Sequence, residues 1–532
     1  MSRRTAAPGG DLSGVARGST ANLLGAVVVA LTTFGLTLVV THGMAKSAAG
    51  VFFSATSVFV LATSIGQLGT NTGLVYFLSR LRSLGNGPGS QRVFQIALRP
   101  VLIVGVLLAA LLIVIAEPLG RLMVPDHAGE AATYIRVLAA LVPVVGLENV
   151  ALSATRGLGT MRANVMVEQL VRPLLQLAMV AIAVHVADPV IIALGWGLCY
   201  VPAAAYAYWY WSHLRPRSSR FAQHVTPREF WTFSGPRALA SIGQIAMQRL
   251  DIVLVGALSG APAAAVYTAA TRFLVAGQMA NRSVSAAVQP RLGAALARDD
   301  IAGTNRLYRV ATGWLMLLTW PIYLALLVFG EHLLKVFGEG YDAGRTVLVV
   351  LSCAMLFATA VGMVDMVLNM AGRTAWNMVN VAVAFTVTFG LDLVLIPRIG
   401  ILGAAIGWAS GIVATNLLAV LQVGLSLKIH PFGRPALLAG VLAVTCYGGL
   451  ALVPRLILGD SVVAAAWGLA LASCAYAVGI WLLRRPLQLN AFAAMRRGGK
   501  GGRAGKGGKG PHGDTGVQAG EGVNGAEHPG KV

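Results

Sequence analysis

An all-α polytopic membrane protein is the fold class that this 532-residue sequence predicts, on three observations. Charged residues make up 11% of the chain and apolar residues 56%, a balance that leaves too little charge to solvate the surface of a globular domain. No Lys, Arg, Asp or Glu occurs in 18–45 or in 47–79, and each stretch exceeds the roughly 20 residues that cross a bilayer as a helix. The chain also echoes itself. Gly159-Thr160-Met161-Arg162-Ala163-Asn164 and Leu194-Gly195-Trp196 return as Gly372-Arg373-Thr374-Ala375-Trp376-Asn377 and Ile406-Gly407-Trp408.

A second echo sets Ala49-Gly50-Val51-Phe52 against Ala264-Ala265-Val266-Tyr267, so the repeat offset is about 213 to 215 residues. Apolar windows between Pro, Gly and charge clusters then predict about fourteen spans. They begin near residues 20, 49, 97, 131, 164, 190, 231, 262, 310, 346, 374, 400, 436 and 461. Residues 1–19 are polar and Gly-rich, without a short apolar core and cleavage site, and are expected to form a disordered cytoplasmic tail. Two six-helix lobes follow, 20–212 and 231–427, joined by a basic, Pro-containing cytoplasmic linker at 213–230. Residues 436–483 supply two additional spans with no partner in the repeat, and 484–532 form a basic, Gly-rich tail too poor in apolar residues to fold.

Cations divide between the two sides of this plan. Arg80, Arg82, Arg92, Arg99, Arg156, Arg162, Arg215, Arg217, Arg220, Arg228, Arg291, Arg298, Arg306 and Arg309 fall in connections on one side, with both tails. Only Lys46, Arg121, Arg136, Lys335, Arg345, Arg398 and Arg455 fall on the other. The positive-inside rule therefore places both termini in the cytoplasm of a cytoplasmic (inner) membrane protein. The net charge of +21 reflects that topology and attraction to anionic membrane lipids. A nucleic-acid surface is not expected, since the basic residues are dispersed and lack interleaved aromatics. Repeats that start on the same side are of the parallel kind, related by an axis along the membrane normal, with a transport path between the lobes.

Ionisable side chains inside a bilayer are costly and mark function. The densest group is Arg237, Arg249, Asp251, Arg272 and Arg282 in the seventh and eighth spans. Asp251 is expected to pair with Arg249 or Arg272, leaving surplus positive charge to face a water-filled cavity, and a guanidinium suits phosphate or carboxylate. Ser241, Gln244 and Gln248 share one face of the seventh span. In the first repeat the positions matching Arg249 and Arg272 hold Phe34 and Ser57, so only the second lobe is cationic there. Glu168 and Arg172 stand at i, i+4 and are expected to pair, with Glu148 nearby. Glu148, Glu168 and the isolated acids Asp365 and Asp392 are the candidates for coupling to H+ or Na+. Gly403, Gly407 and Gly411 line one face of the twelfth span for close helix packing.

Other chemistries find no support. The four cysteines lie in apolar runs and read as packing residues, the histidines lack metal-ligand spacing, and no phosphate-binding Gly-x-x-x-x-Gly-Lys-Ser/Thr loop occurs. A secondary transporter, not an enzyme and without cofactor or metal, is expected.

The segment from Leu391-Asp392-Leu393 through Ile396-Pro397-Arg398 to Gly403-Ala404-Ala405-Ile406-Gly407 resembles the junction of the eleventh and twelfth spans of bacterial polysaccharide flippases. Arg249-Leu250-Asp251, and Tyr267 followed by Arg272, resemble the Asp-containing seventh span and the Tyr-x-x-x-x-Arg eighth span of the same family. These proteins form a branch of the multidrug, oligosaccharidyl-lipid and polysaccharide exporter superfamily. The resemblance covers roughly residues 15–480. It implies alternating access between two lobes and transfer of a polyprenyl-diphosphate-linked oligosaccharide to the outer leaflet for cell-surface polysaccharide. Arg249 and Arg272 would hold the diphosphate, Asp251 would orient them, and Arg237 and Arg282 would guide the headgroup at the cytoplasmic mouth. Membrane lipids, a polymerase and glycosyltransferases are the implied partners. Three alternatives stay open. A peptidoglycan lipid-precursor flippase is one, though that relative carries arginines in its opening span and 21–40 here has none. A cation-coupled small-molecule or drug antiporter and a membrane scaffold for glycan assembly are the others.

Overall fold

A computed structural model describes residues 9–83, 87–214, 225–459 and 461–488, all as helices and their connecting turns, with no strand among them. Backbone groups in hydrocarbon have no water to bond, so helices that satisfy their own hydrogen bonds are the physical solution. Large apolar side chains face outward, among them Leu107, Leu239, Leu425 and Ile457, which lipid accommodates and water would not.

Among the described residues, twelve helices are long and apolar enough to cross a membrane, or thirteen if the bent pair Pro125–Ala139 and Val142–Gly157 is one span. The expected fourteen is corrected to that number. The shortfall falls at the expected eighth span, where the chain forms Ala261–Arg272 and Leu274–Leu296. These helices carry Arg272, Gln278, Asn281, Arg282 and Arg291, too many polar groups for a lipid-facing segment. The expected fourth span is the bent pair, turned by 42°. Pro143, at the start of its second helix, has no N–H to continue the ladder.

Helix begins at Gly9, so the part of the expected disordered tail from Gly9 onward is helical instead. No proline interrupts Gly9–Gly43, and extending an existing helix costs no new nucleus. Residues 1–8, 215–224 of the linker and 489–532 of the tail lie outside the described residues. Helix starts elsewhere carry recognisable caps. Asp188 accepts from the amides of Val190 and Ile191 at 2.7 and 3.1 Å ahead of Pro189. Thr226 accepts from Glu229 N at 3.2 Å ahead of Pro227, and Asp300 accepts from Gly303 N at 2.8 Å.

The helix Lys46–Gly66 packs against both Pro227–Ser259 and Ala261–Arg272 of the second half of the chain. Glycine permits this approach: a Cβ at Gly50 would strike the Ala261 carbonyl oxygen, and one at Gly256 would lie 2.8 Å from Ser54 Oγ. The same segment of chain continues as Thr70–Ser83 after a break at Leu68 and Gly69, whose φ values are 50° and 71°. The close packing expected of Gly403, Gly407 and Gly411 is present, and its partner is Thr374–Ile399: their Cβ positions abut Leu395, Asp392 and Thr388 in turn. The two additional spans, Arg434–Ile457 and Val462–Leu482, lean on Ile301–Leu334. Tyr476 Oη donates to Leu317 O at 2.9 Å, and Gly313 abuts Pro435. All four cysteines are free.

Gly69 couples positive φ to contact, since a Cβ there would lie 2.5 Å from Ser234 O and 2.7 Å from Ala238 N. Gly69→Ala is expected to cost about 1–3 kcal/mol, measured as a lowered thermal unfolding midpoint in detergent. Gly235→Ala, whose Cβ meets nothing within 4 Å, should leave that midpoint unchanged.

Candidate functional site

The charged residues of the seventh span come together with the end of Ala261–Arg272, but not in the expected pairs. Asp251 is 5% exposed. Its Oδ2 accepts from Tyr267 Oη at 2.7 Å, and its Oδ1 accepts from Ile252 N at 2.8 Å. No ion pair joins it to Arg249 or Arg272 among the described residues. Both arginines nevertheless act on it electrostatically, and they repel each other. The expected pairing is therefore corrected: a phenol sixteen residues away, on the next helix, takes the carboxylate that sequence spacing assigned to a guanidinium. Arg272 Nε is left buried without a hydrogen-bond partner. An unmatched donor of this kind is costly in a protein interior and marks a place where a ligand oxygen would be favoured.

Asp392 is not isolated either. It is 2% exposed and close enough to Asp251 for the two acids to influence each other electrostatically. Gly407 and Gly411 of the following helix admit it: a Cβ at Gly407 would strike Asp392 Oδ1, and one at Gly411 would strike Thr388 Oγ1. Both of those oxygens are buried without a hydrogen-bond partner. Asp365 stands apart, in a cavity of about 320 Å³ lined by Asn281, Ser285, Asn369 and Asn416 among others.

In the first half of the chain, the expected Glu168–Arg172 pair is replaced by another. Arg172 Nη1 reaches Glu148 Oε1 at 2.8 Å, while Glu168 Oε2 accepts from Asn164 Nδ2 at 3.1 Å. The cause is local. Val165–Val171 is a π-helix, whose wider turn removes the i, i+4 alignment on which an α-helical ion pair depends. Glu148 is wholly buried, which commits it to its arginine. The Arg172 guanidinium lies 4.9 Å from the centre of the Tyr200 ring.

Arg237 and Arg282 are exposed and belong to neither group. Arg237 stacks on Phe233, with its guanidinium carbon 3.7 Å from the ring centre, and donates to Phe233 O at 2.7 Å. Phe34, which matches Arg249 in the repeat, packs against Phe273 and Phe337 at centroid distances of 5.4 and 5.1 Å. Ser57, which matches Arg272, turns its hydroxyl to Phe53 O at 2.7 Å. Sequence reasoning missed Tyr200 and passed over Tyr267 as a ligand of Asp251. A buried tyrosine within one helix of an unpaired acid was the available signal for the second, and Tyr200 carried none. No group of three or more metal-binding side chains occurs among the described residues.

Helices of this length, with buried charge shared between two halves of the chain, define a multi-pass membrane protein. The chain belongs to the polysaccharide biosynthesis protein family, which matches residues 15–296, more than half of its length. The MatE family also matches residues 236–394. Among solved structures, the lipid II flippase MurJ in an inward closed conformation superposes with a TM-score of 0.68, covering 88% of this chain and 99% of that one at 12% identity. An inward-facing multidrug resistance MATE transporter gives 0.63, covering 75% and 94% at 16% identity. At these identities the likeness is one of fold. A probable multidrug resistance protein NorM of Bradyrhizobium diazoefficiens is 30% identical over 129 residues, 24% of this chain and 27% of that protein. The chain thus matches about a quarter of that relative's length.

Removing the partner of a wholly buried carboxylate costs about 3–5 kcal/mol. Arg172→Met is therefore expected to lower the unfolding midpoint sharply, whereas Glu168→Gln costs less than about 1 kcal/mol. Equal losses in the two variants, followed by intrinsic fluorescence on heating, would show that Glu168 and not Glu148 holds the arginine.

Proposed function

We propose that this protein is a flippase that moves a polyprenyl-diphosphate-linked oligosaccharide from the inner to the outer leaflet of the cytoplasmic membrane, for cell-surface polysaccharide. Its two lobes, 20–212 and 231–427, alternate in access, with both termini in the cytoplasm. The observation that carries the reading is the state of Arg249 and Arg272. Tyr267 and the Ile252 amide occupy Asp251, so neither guanidinium has a carboxylate in direct contact, and Arg272 Nε is buried without a partner. A diphosphate offers the oxygens these donors lack, in the bidentate geometry that suits a guanidinium. Membership in the polysaccharide biosynthesis family supports a glycan-linked cargo. Lipid tails remain in the membrane while the headgroup crosses between the lobes, and a polymerase and glycosyltransferases act before and after transfer.

Coupling to H+ or Na+ is assigned to Asp392. Its unpartnered oxygen lies one helical turn from the unpartnered Thr388 hydroxyl, and the carboxylate is close enough to Asp251 to act on it. A cation or proton there would relieve the repulsion between the two acids. Glu148, committed to Arg172, and Glu168, hydrogen-bonded by Asn164, serve structure. A drug antiporter is the second reading, favoured by the MatE match and by the NorM relative over 129 residues. The cationic centre is unsuited to cationic drugs.

Arg272→Ala is expected to abolish surface polysaccharide while membrane abundance of the protein stays unchanged. Normal polymer from that variant, together with new sensitivity to toxic compounds in a deletion strain, would replace the flippase by the antiporter. Asp392→Asn should make residual polymer output insensitive to the sodium and proton gradients, measured with ionophores; retained gradient dependence would place coupling elsewhere.

A further inference from the structure

A second cationic site lies away from Arg249 and Arg272. Where Thr70–Ser83 and Val142–Gly157 of the first half meet Pro227–Ser259 of the second, a cavity of about 640 Å³ is lined by Asn71, Tyr76, Ser79, Arg156, Phe233 and Arg237 among others. Both arginines are held in place before any ligand arrives. Arg156 Nη2 donates to Ser153 Oγ at 2.7 Å. Ser153 donates to Asn71 Oδ1 at 2.9 Å, and Asn71 Nδ2 donates to Gln67 Oε1 at 2.7 Å. Arg237 is fixed from the other half of the chain by the ring and carbonyl of Phe233. Tyr76 stacks on the same Phe233 ring at 4.4 Å, leaving its own side chain 46% exposed. Arg156 Nε is buried without a partner. No carboxylate is among the lining residues; the nearby Glu229 is turned to Arg80 at 3.4 Å.

We propose that Arg156 and Arg237 form a phosphate-binding site that takes the headgroup of a membrane lipid between the two halves of the protein. Two guanidiniums oriented by their own hydrogen bonds lose little freedom on binding, which favours a planar, bidentate contact with phosphate oxygens. Tyr76, braced by Phe233 and 46% exposed, supplies an aromatic surface against which the uncharged part of a headgroup packs. A phosphate here touches residues from both halves at once, so its arrival and departure act on their separation. The site stands on its own lining and does not depend on the cargo assigned to Arg249 and Arg272. The phosphate belongs either to a polyprenyl-diphosphate glycan or to an anionic phospholipid.

The test places p-benzoylphenylalanine at Tyr76 in the full-length protein, irradiates intact membranes and identifies the adduct by mass. A phosphate-bearing lipid adduct is expected, reduced about tenfold by Arg156→Gln and by Arg237→Gln, the loss of one charge-assisted contact. Crosslinking from the lipid-facing position Leu107 should be unchanged in both variants, which shows that they are folded and inserted. A polyprenyl adduct assigns the site to a glycan carrier, and a phospholipid adduct assigns it to the surrounding bilayer. Equal adduct yield in wild type and both variants, or adducts without phosphate, would overturn the proposal. Polymer output from Arg272→Ala is read separately, so failure here leaves the flippase assignment untouched.

Discussion

Gly50 brings the helix Lys46–Gly66 so near to Ala261 that no other residue would fit between them, and the arrangement of charge in the protein depends on that approach. It seats one helix of the first half against two of the second, Pro227–Ser259 and Ala261–Arg272. Small residues are the usual means of close helix contact in lipid, where apolar surface alone supplies little drive to associate. Here the contact also dries the environment of Asp251 and Tyr267, which sit on those two second-half helices. Their hydrogen bond is shielded from competing water and is correspondingly strong. With the carboxylate occupied in this way, the arginines around it keep their charge without a direct counterion.

Two electrostatic solutions therefore coexist in one membrane interior. Glu148 and Arg172 form a closed pair, in direct contact at 2.8 Å, although the second Glu148 oxygen is buried without a hydrogen-bond partner. Arg249, Arg272, Asp251 and Asp392 form an open one, in which like charges are close and some donors and acceptors face no partner. A closed pair stabilises a single arrangement, while an open group gains by accepting a ligand or a proton. Tyr200 adds its ring to the closed pair, 4.9 Å from the Arg172 guanidinium.

Much of the architecture was legible in the sequence because its cause is local. Charge-free windows mark helices wherever a bilayer is the solvent, and the glycine row at Gly403, Gly407 and Gly411 announced its own packing. The eighth segment was miscounted because polar residues that face protein or a cavity look the same in sequence as those that break a span. The partners of Asp251 and Arg172 were not legible, since both are set by distance across helices. For Arg172 a π-helix also altered the spacing itself. Asp392 looked solitary because its neighbour Asp251 lies 141 positions earlier.

That π-helix bears on the internal repeat as well. Each residue of an α-helix turns the direction of the side chain by about 100°, so widening the turn over Val165–Val171 swings every later side chain of that helix to a new bearing. Its counterpart in the second repeat, Thr374–Ile399, is α-helical throughout. From Asn164 to Trp196 the first copy spans 32 positions and from Asn377 to Trp408 the second spans 31, so the widened turn lies in the stretch where the first copy carries one residue more. A single widened turn thus lets one copy hold an extra residue inside a continuous helix, where the other copy needs none.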